Sequence, residues 1–149
     1  MSSAKIKKII PCKKKQLIEM VLDIEKYPEF VPWCINSKIH STSEKDNKTE
    51  IIADLTIGKS FLNQTYKSFV IYDKLADSVH VTNIKGPLKY LENKWFFKQK
   101  DDYSEVEFHV DFELKNIIFN ALMSKSFDLG LKKIADAFEK RALELFNKT

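Results

Sequence analysis

The feature that most constrains the fold is a change of hydrophobic period at Leu114. In Ser104–Leu114, apolar side chains alternate with charged or polar ones, which gives the segment one apolar face and one wet face. After Leu114, apolar residues recur at helical spacing as far as Leu145. A strand with one solvent-exposed face is typical of an antiparallel sheet. An amphipathic helix needs an apolar surface against which to bury its apolar stripe. The sequence therefore predicts an antiparallel sheet packed against a C-terminal helix.

The preceding segments complete this α+β pattern. Ala4–Pro11 alternates as an opening strand, and Lys14–Ile24 carries apolar residues at helical spacing. From Ile35 onward the period is two, and turn residues divide the segment into about six strands. These breaks lie at Ser43–Lys48, Gly58, Tyr72–Asp77, Gly86-Pro87 and Lys100–Ser104. Short breaks favour hairpins, so we expect a meander within a single domain over residues 1–149.

The C-terminal segment is predicted to form one long helix. If it ran unbroken from Asn116 to Asn147 it would be about 48 Å long and would cross the whole sheet. Gly130 is the expected place for a bend.

An aromatic, proline-stiffened segment, Tyr27–Cys34, follows the first helix. Two prolines fix its backbone and hold Phe30 and Trp33 in defined directions. An exposed apolar loop of this kind predicts the lip of a hydrophobic cavity, made by Phe30, Val31, Pro32 and Trp33. Local packing against the first helix is an equally weighted alternative.

The charge distribution indicates a mostly solvated surface with a basic N-terminal edge. The net charge is +4, and lysines cluster at Lys5, Lys7, Lys8 and Lys13–Lys15. We expect this edge to contact anionic lipid headgroups at a membrane surface. Nucleic-acid binding is not expected, because it needs a denser basic stripe with stacking aromatic residues.

The apolar runs fall short of the roughly 20 residues that span a bilayer, and no signal-peptide or transit pattern is present. The expected location is cytoplasmic, with peripheral contact at the inner face of the cell membrane. Cys12 and Cys34 lie outside any metal-ligand spacing, so neither a metal nor a disulfide is predicted.

Three blocks of the sequence carry a resemblance to a known family. They are Tyr27-Pro28-x-Phe30-Val31-Pro32-Trp33-Cys34, Gly86-Pro87-Leu88-x-x-Leu91 with Trp95-x-Phe97, and Glu107-Phe108-x-Val110-x-Phe112-Glu113. The chain resembles the START-like superfamily, and within it the coenzyme Q-binding family. The resemblance implies a helix-grip fold: a curved sheet of about seven antiparallel strands wrapped around a long C-terminal helix, with short helices after the first strand. It also implies a carrier or chaperone that binds ubiquinone, or a similar polyprenyl quinone, and supports respiratory electron transport.

Strand alternation predicts which side chains line the cavity. The expected walls are Phe61, Phe69, Ile71, Val79, Val81, Trp95, Phe97, Val106, Phe108, Val110 and Phe112. Phe127, Leu131 and Ile134 of the C-terminal helix are the expected lid. Ligand pockets are mostly apolar with few polar groups, although a fully packed core explains the same residues. Candidate donors to a ligand head group are Asn63, Gln64, Tyr66, Asn83 and Tyr90.

Catalysis and ribosome binding are the rival functions. Catalysis needs convergent titratable groups, whereas His80 and His109 are predicted to face solvent and Asp111 and Glu113 lie on a wet face. We therefore predict no enzymatic activity and no catalytic cofactor. Ribosome association toxins resemble the chain in the same blocks, which implies a translation inhibitor acting on ribosomal subunits. The Pro32-Trp33-Cys34 block favours quinone binding.

Overall fold

A computed structural model describes residues 2–59, 62–125 and 127–146. Within these ranges the chain forms one antiparallel sheet and helices on one side of it. The strands are β1 (Ser2–Ile10), β2 (Cys34–Lys45), β3 (Lys48–Lys59), β4 (Leu62–Asp73), β5 (Ser78–Lys85), β6 (Leu88–Lys100) and β7 (Tyr103–Leu114). The helices are α1 (Lys14–Leu22), a 3-10 helix (Ile24–Glu29), α2 (Ile117–Lys125) and α3 (Phe127–Phe146).

The sheet is the predicted meander with one addition. Strands β2 to β7 pair in sequence order, and β1 pairs with β7, giving the order β1-β7-β6-β5-β4-β3-β2. Strands β1 and β2 are therefore the two edges of the sheet. The predicted break at Gly58 is wrong in position, because Gly58 lies within β3; residues 60 and 61, which follow β3, lie outside the described residues.

The core lies between the concave face of the sheet and α3. Cross-strand partners share a face, so the register Val79 to Trp95 to Phe108 places these side chains together on the concave side. All three are buried. The helix contributes a stripe at helical spacing, made by Leu131, Ala135, Phe138 and Ala142, and each of these is also buried. The alternation read in β7 is confirmed.

The C-terminal segment is helical on both sides of residue 126, as α2 and α3, and residue 126 itself lies outside the described residues. Gly130, the expected place for a bend, lies inside α3. Asn120 Oδ1 accepts a hydrogen bond from the Leu114 amide at 3.0 Å, which ties α2 to the end of β7. Ile117 and Ile118 are 84% and 70% exposed, so they do not continue the core stripe.

Phe69 and Ile71 were assigned to the wrong face of the sheet. Val70 pairs with the core residue Val81, so Phe69, which pairs with Thr82, lies on the convex face, as does Ile71. The pattern failed because residues 69 to 72 are all apolar or aromatic, so alternation could not fix the phase. Phe61, another predicted wall residue, lies outside the described residues.

Gly86 is required where the β5–β6 turn meets β4. Its φ is +138°, and a Cβ atom built there would lie 2.8 Å from Tyr66 Cβ. We expect Gly86→Ala to lower the free energy of unfolding by about 1–3 kcal/mol, because both the backbone strain and the contact oppose it. Urea unfolding measures this loss. An unchanged stability would contradict the close approach.

Candidate ligand-binding site

The segment after the 3-10 helix is held by main-chain hydrogen bonds. Val31 N–H donates to Tyr27 O at 2.8 Å, and Cys34 N–H donates to Val31 O at 3.2 Å. Trp33 has a φ of +65°, and its carbonyl accepts a hydrogen bond from Gly58 N–H at 3.0 Å. The lip is therefore a defined turn anchored to β3.

The two aromatic residues of the lip have different environments. Phe30 meets Phe138 of α3 edge to face, with 5.1 Å between ring centroids, and the Arg141 guanidinium lies 5.0 Å from the centre of its ring. Trp33 is 38% exposed, and its ring faces Gly130 of α3. The Phe30 side chain is thus packed against α3, whereas the Trp33 side chain lies partly exposed on the surface of α3. The other two lip residues, Val31 and Pro32, are half-buried.

The middle of the concave face is a packed aromatic cluster. Trp95 lies 4.3 Å from Phe108, 6.2 Å from Phe97 and 5.0 Å from Phe138, measured between ring centroids. Trp95 Nε1–H donates to Asn93 Oδ1 at 2.9 Å. The predicted inward direction of these aromatic side chains is confirmed. In this part of the interior they serve as core.

The void inside this cluster is small. It measures about 20 Å³ and lies between Trp95, Phe108 and Phe138, beneath Ile6 of β1. Such a space holds about one water molecule, whereas ligand pockets measure roughly 300–1,000 Å³. An isoprenoid tail could therefore enter this part of the interior only if side chains moved.

The predicted lid residues lie over the concave face. Phe127 packs against Phe112 with 4.9 Å between ring centroids. Leu131 is buried, and Ile134 is half-buried against the core. These three lid residues and the wall residues Val81, Trp95, Phe97 and Phe108 are thus brought together on one apolar interior, which Phe112 joins through its contact with Phe127.

A polar group does reach this interior from β4. Tyr66 pairs with Leu55, a residue packed on the core, so its side chain lies on the concave side. Its surroundings include Tyr27 and Cys34, and burial raises the pKa of Tyr66 and brings the pKa of Cys34 to about 11. Tyr27 Oη–H donates to Val21 O, whereas within the described ranges the Tyr66 hydroxyl makes no hydrogen bond. Tyr66 therefore presents, on the concave side of β4, a hydroxyl that makes no hydrogen bond with the described residues.

The other candidate donors do not reach the interior in this way. Asn63 and Gln64 are exposed. Asn83 is engaged with the backbone, donating to Leu88 O at 3.1 Å and accepting from Leu91 N–H at 3.0 Å.

Asn93 was missed by the sequence analysis. It faces inward, donates to His109 O at 2.9 Å and accepts from the Trp95 indole. Its position two residues before Trp95, in the same strand phase, was the signal that could have found it.

Tyr90 lies on the convex face and donates to Glu92. Hydrogen bonds from Tyr90 and Lys94, the latter at 2.9 Å, lower the pKa of Glu92 to about 2. Since the folded state lowers this pKa, the ionised carboxylate stabilises the fold above about pH 4.5, and the contribution is lost as the pH falls towards 2. We expect Glu92→Gln to flatten the pH dependence of thermal stability in this window. An unchanged slope would contradict these contacts.

The contact of Trp33 with Gly130 gives a test of the lip. A Cβ atom on Gly130 would lie 3.6 Å from Trp33 Cη2, which is an ordinary contact, so Gly130→Ala should leave the indole in place and stabilise α3 by up to about 1 kcal/mol. Gly130→Leu should push the indole into solvent. Acrylamide quenching measures this, with Trp33→Phe giving the Trp95 background. Equal quenching in both Gly130 variants would contradict the contact.

The described residues contain no cluster of three or more histidine, cysteine or acidic side chains that could hold a metal. Cys12 and Cys34 are buried free thiols. Among the described helices, none has the length and apolarity needed to cross a membrane.

A seven-stranded antiparallel sheet that grips a C-terminal helix over an apolar interior defines a START-like, helix-grip domain. The chain belongs to the polyketide cyclase/dehydrase and lipid transport family, whose model matches residues 10–139. A START superfamily protein from Mycobacterium smegmatis has the same fold, with a TM-score of 0.81, 15% identity, and coverage of 97% of this chain and 99% of that one. The predicted fold class is confirmed.

Two relatives that are described by different functions align over most of the chain. The ribosome association toxin RatA of Rickettsia prowazekii (strain Madrid E) is 34% identical, covering 93% of this chain and 94% of the relative. The mitochondrial coenzyme Q-binding protein COQ10 of Dictyostelium discoideum is 30% identical, covering 88% of this chain and 64% of the relative.

Proposed function

We propose that the chain binds a hydrophobic, carbonyl-bearing small molecule of the polyprenyl quinone class and acts as its carrier or chaperone in support of respiratory electron transport. The observation that carries this proposal is the Tyr66 hydroxyl, which lies on the concave side of β4 and makes no hydrogen bond with the described residues. A quinone carbonyl is an acceptor without charge, so it can take this hydrogen bond at a small desolvation cost. The similarity to a coenzyme Q-binding protein supports the same ligand class.

The tail supplies most of the affinity in this proposal. Each buried methylene contributes about 0.8 kcal/mol, so several isoprenoid units can bind without further polar contacts. The void beside Trp95, Phe108 and Phe138 measures about 20 Å³, which is too small for a tail, so we propose that the lip and α3 separate to admit it. Trp33 is the lip residue most open to solvent, and Leu129, next to Gly130, is exposed beside it. We propose that this end opens at a membrane surface, where the tail passes between two apolar environments.

The ligand is tested by mass spectrometry of an organic extract of the purified, detergent-free chain. We expect a polyprenyl quinone near one equivalent, and at least tenfold less after Tyr66→Phe, because about 1.4 kcal/mol of hydrogen bonding corresponds to a factor of ten. Tyr72→Phe is the matched control, since Tyr72 faces the same side from the same strand. Equal retention by both variants, or loss of folding in Tyr66→Phe alone, would remove Tyr66 as the head-group donor.

A second function is favoured by one specific observation, the 34% identity to a ribosome association toxin over nearly the whole of both chains. Under this alternative the chain binds a ribosomal subunit through its outer surface and inhibits translation. Co-sedimentation with purified subunits separates the two functions. An empty extract together with stoichiometric subunit binding would replace the quinone proposal.

Our prediction of no enzymatic activity stays a prediction, because the family also takes its name from cyclases and dehydrases.

A further inference from the structure

A groove on the outside of the molecule, away from the lip, has the geometry of a peptide slot. It measures about 600 Å³ and runs between the edge strand β1 and helix α3. One wall is made by five consecutive residues, Ala4–Lys8, and the other by Asp128 and Lys132, one helical turn apart. A groove lined by successive residues of an edge strand follows the main chain of that strand.

The main chain along this edge is available for pairing. Strand β1 forms its ladder with β7 on one side only. Apart from that ladder, the described residues give no hydrogen bond to the main chain of residues 4–8. Every second N–H and C=O of an edge strand points away from its neighbour, so this wall presents a row of unused donors and acceptors.

Side-chain contacts join β1 to the helices at both ends of the groove. At one end Ser2 Oγ lies 2.7 Å from Ser124 Oγ of α2. At the other, Lys8 Nζ contacts the Asp136 carboxylate and lies 3.0 Å from Glu139 Oε1, both on α3. Strand and helix are thus fastened on either side of the open stretch, which is preorganised for an extended occupant.

The charge along the groove selects the occupant. Lys5 and Lys132 make no salt bridge with described residues, and Lys7 has only a long contact of 3.7 Å with Glu105. Asp128 is the single acidic residue of the lining. A second copy of β1 would bring these lysines against each other, which disfavours self-pairing. An acidic strand would instead place carboxylates at alternate positions opposite Lys5 and Lys7, which share the convex face, while Lys132 adds positive charge from α3.

We propose that the groove binds an extended segment of a partner protein with acidic side chains at alternate positions, which adds to β1 as a further antiparallel strand. Five residues of β1 extend over about 17 Å, enough for a short strand. Main-chain hydrogen bonds would supply affinity and the lysines specificity. The proposal does not depend on quinone binding.

The test uses a nine-residue synthetic peptide in which glutamate alternates with valine and threonine. We expect it to shift the amide resonances of residues 4–8 and to slow their hydrogen exchange. The same peptide with lysine in place of glutamate, or with a central proline that removes a main-chain donor, should bind at least about tenfold more weakly.

Paired charge reversals locate the site. Lys5→Glu with Lys132→Glu should weaken binding of the acidic peptide about tenfold or more. Lys38→Glu with Lys140→Glu is the matched control: it makes the same charge change on the opposite edge strand and on an exposed position of α3. Equal effects of the two pairs, equal binding of the lysine or proline peptide, or a shift map outside β1 would overturn the proposal. So would equally tight competition by polyuridine, which would indicate general anion binding.

Discussion

The packing of Phe138 is the interaction on which the rest of the structure depends. Its ring meets Tyr27 at 5.4 Å, Phe30 at 5.1 Å and Trp95 at 5.0 Å, so one helical residue joins the lip to the middle of the sheet. Such edge-to-face contacts add about 0.5–1.5 kcal/mol each beyond the area they bury. A movement of α3 that opened the interior would break contacts on both sides at once. Separation of α3 from the lip and from the sheet is therefore expected to be a single cooperative step.

How far the sequence predicts the structure depends on how clearly each segment separates apolar from polar residues. In β7 charged and apolar residues alternate strictly, and the structure agrees along the strand. In β4 the run from Phe69 to Tyr72 is apolar or aromatic at every position, so its phase was set by pairing with β5, which a local pattern cannot show. At the C-terminus helical spacing begins at Ile117, yet Ile117 and Ile118 are exposed, because spacing alone does not show where a helix first contacts the sheet.

The candidate site shows the same limit at the level of single side chains. The aromatic wall followed from periodicity, but periodicity does not tell whether rings fill a space or surround one. Here Trp95, Phe108 and Phe138 leave room for about one water molecule. Among five candidate donors, only Tyr66 joins an inward direction to a free hydroxyl. Tyr66 is identified by the register of β4 and by the hydrogen bonds of its neighbours, and neither can be read from the sequence.

The pairing of β1 with β7 has a consequence for how the chain reaches its native state. Ile6 pairs with Phe108 across the ladder, so the first strand of the chain, β1, can form its hydrogen bonds only when β7, the last strand, is available. Contacts of such long sequence separation carry a large loop-closure entropy and slow the search for the native topology. During synthesis, the apolar face of β1 stays uncovered until β7 and α3 have emerged. The lysines along β1 would disfavour pairing of this still unpaired strand with β1 of neighbouring nascent chains.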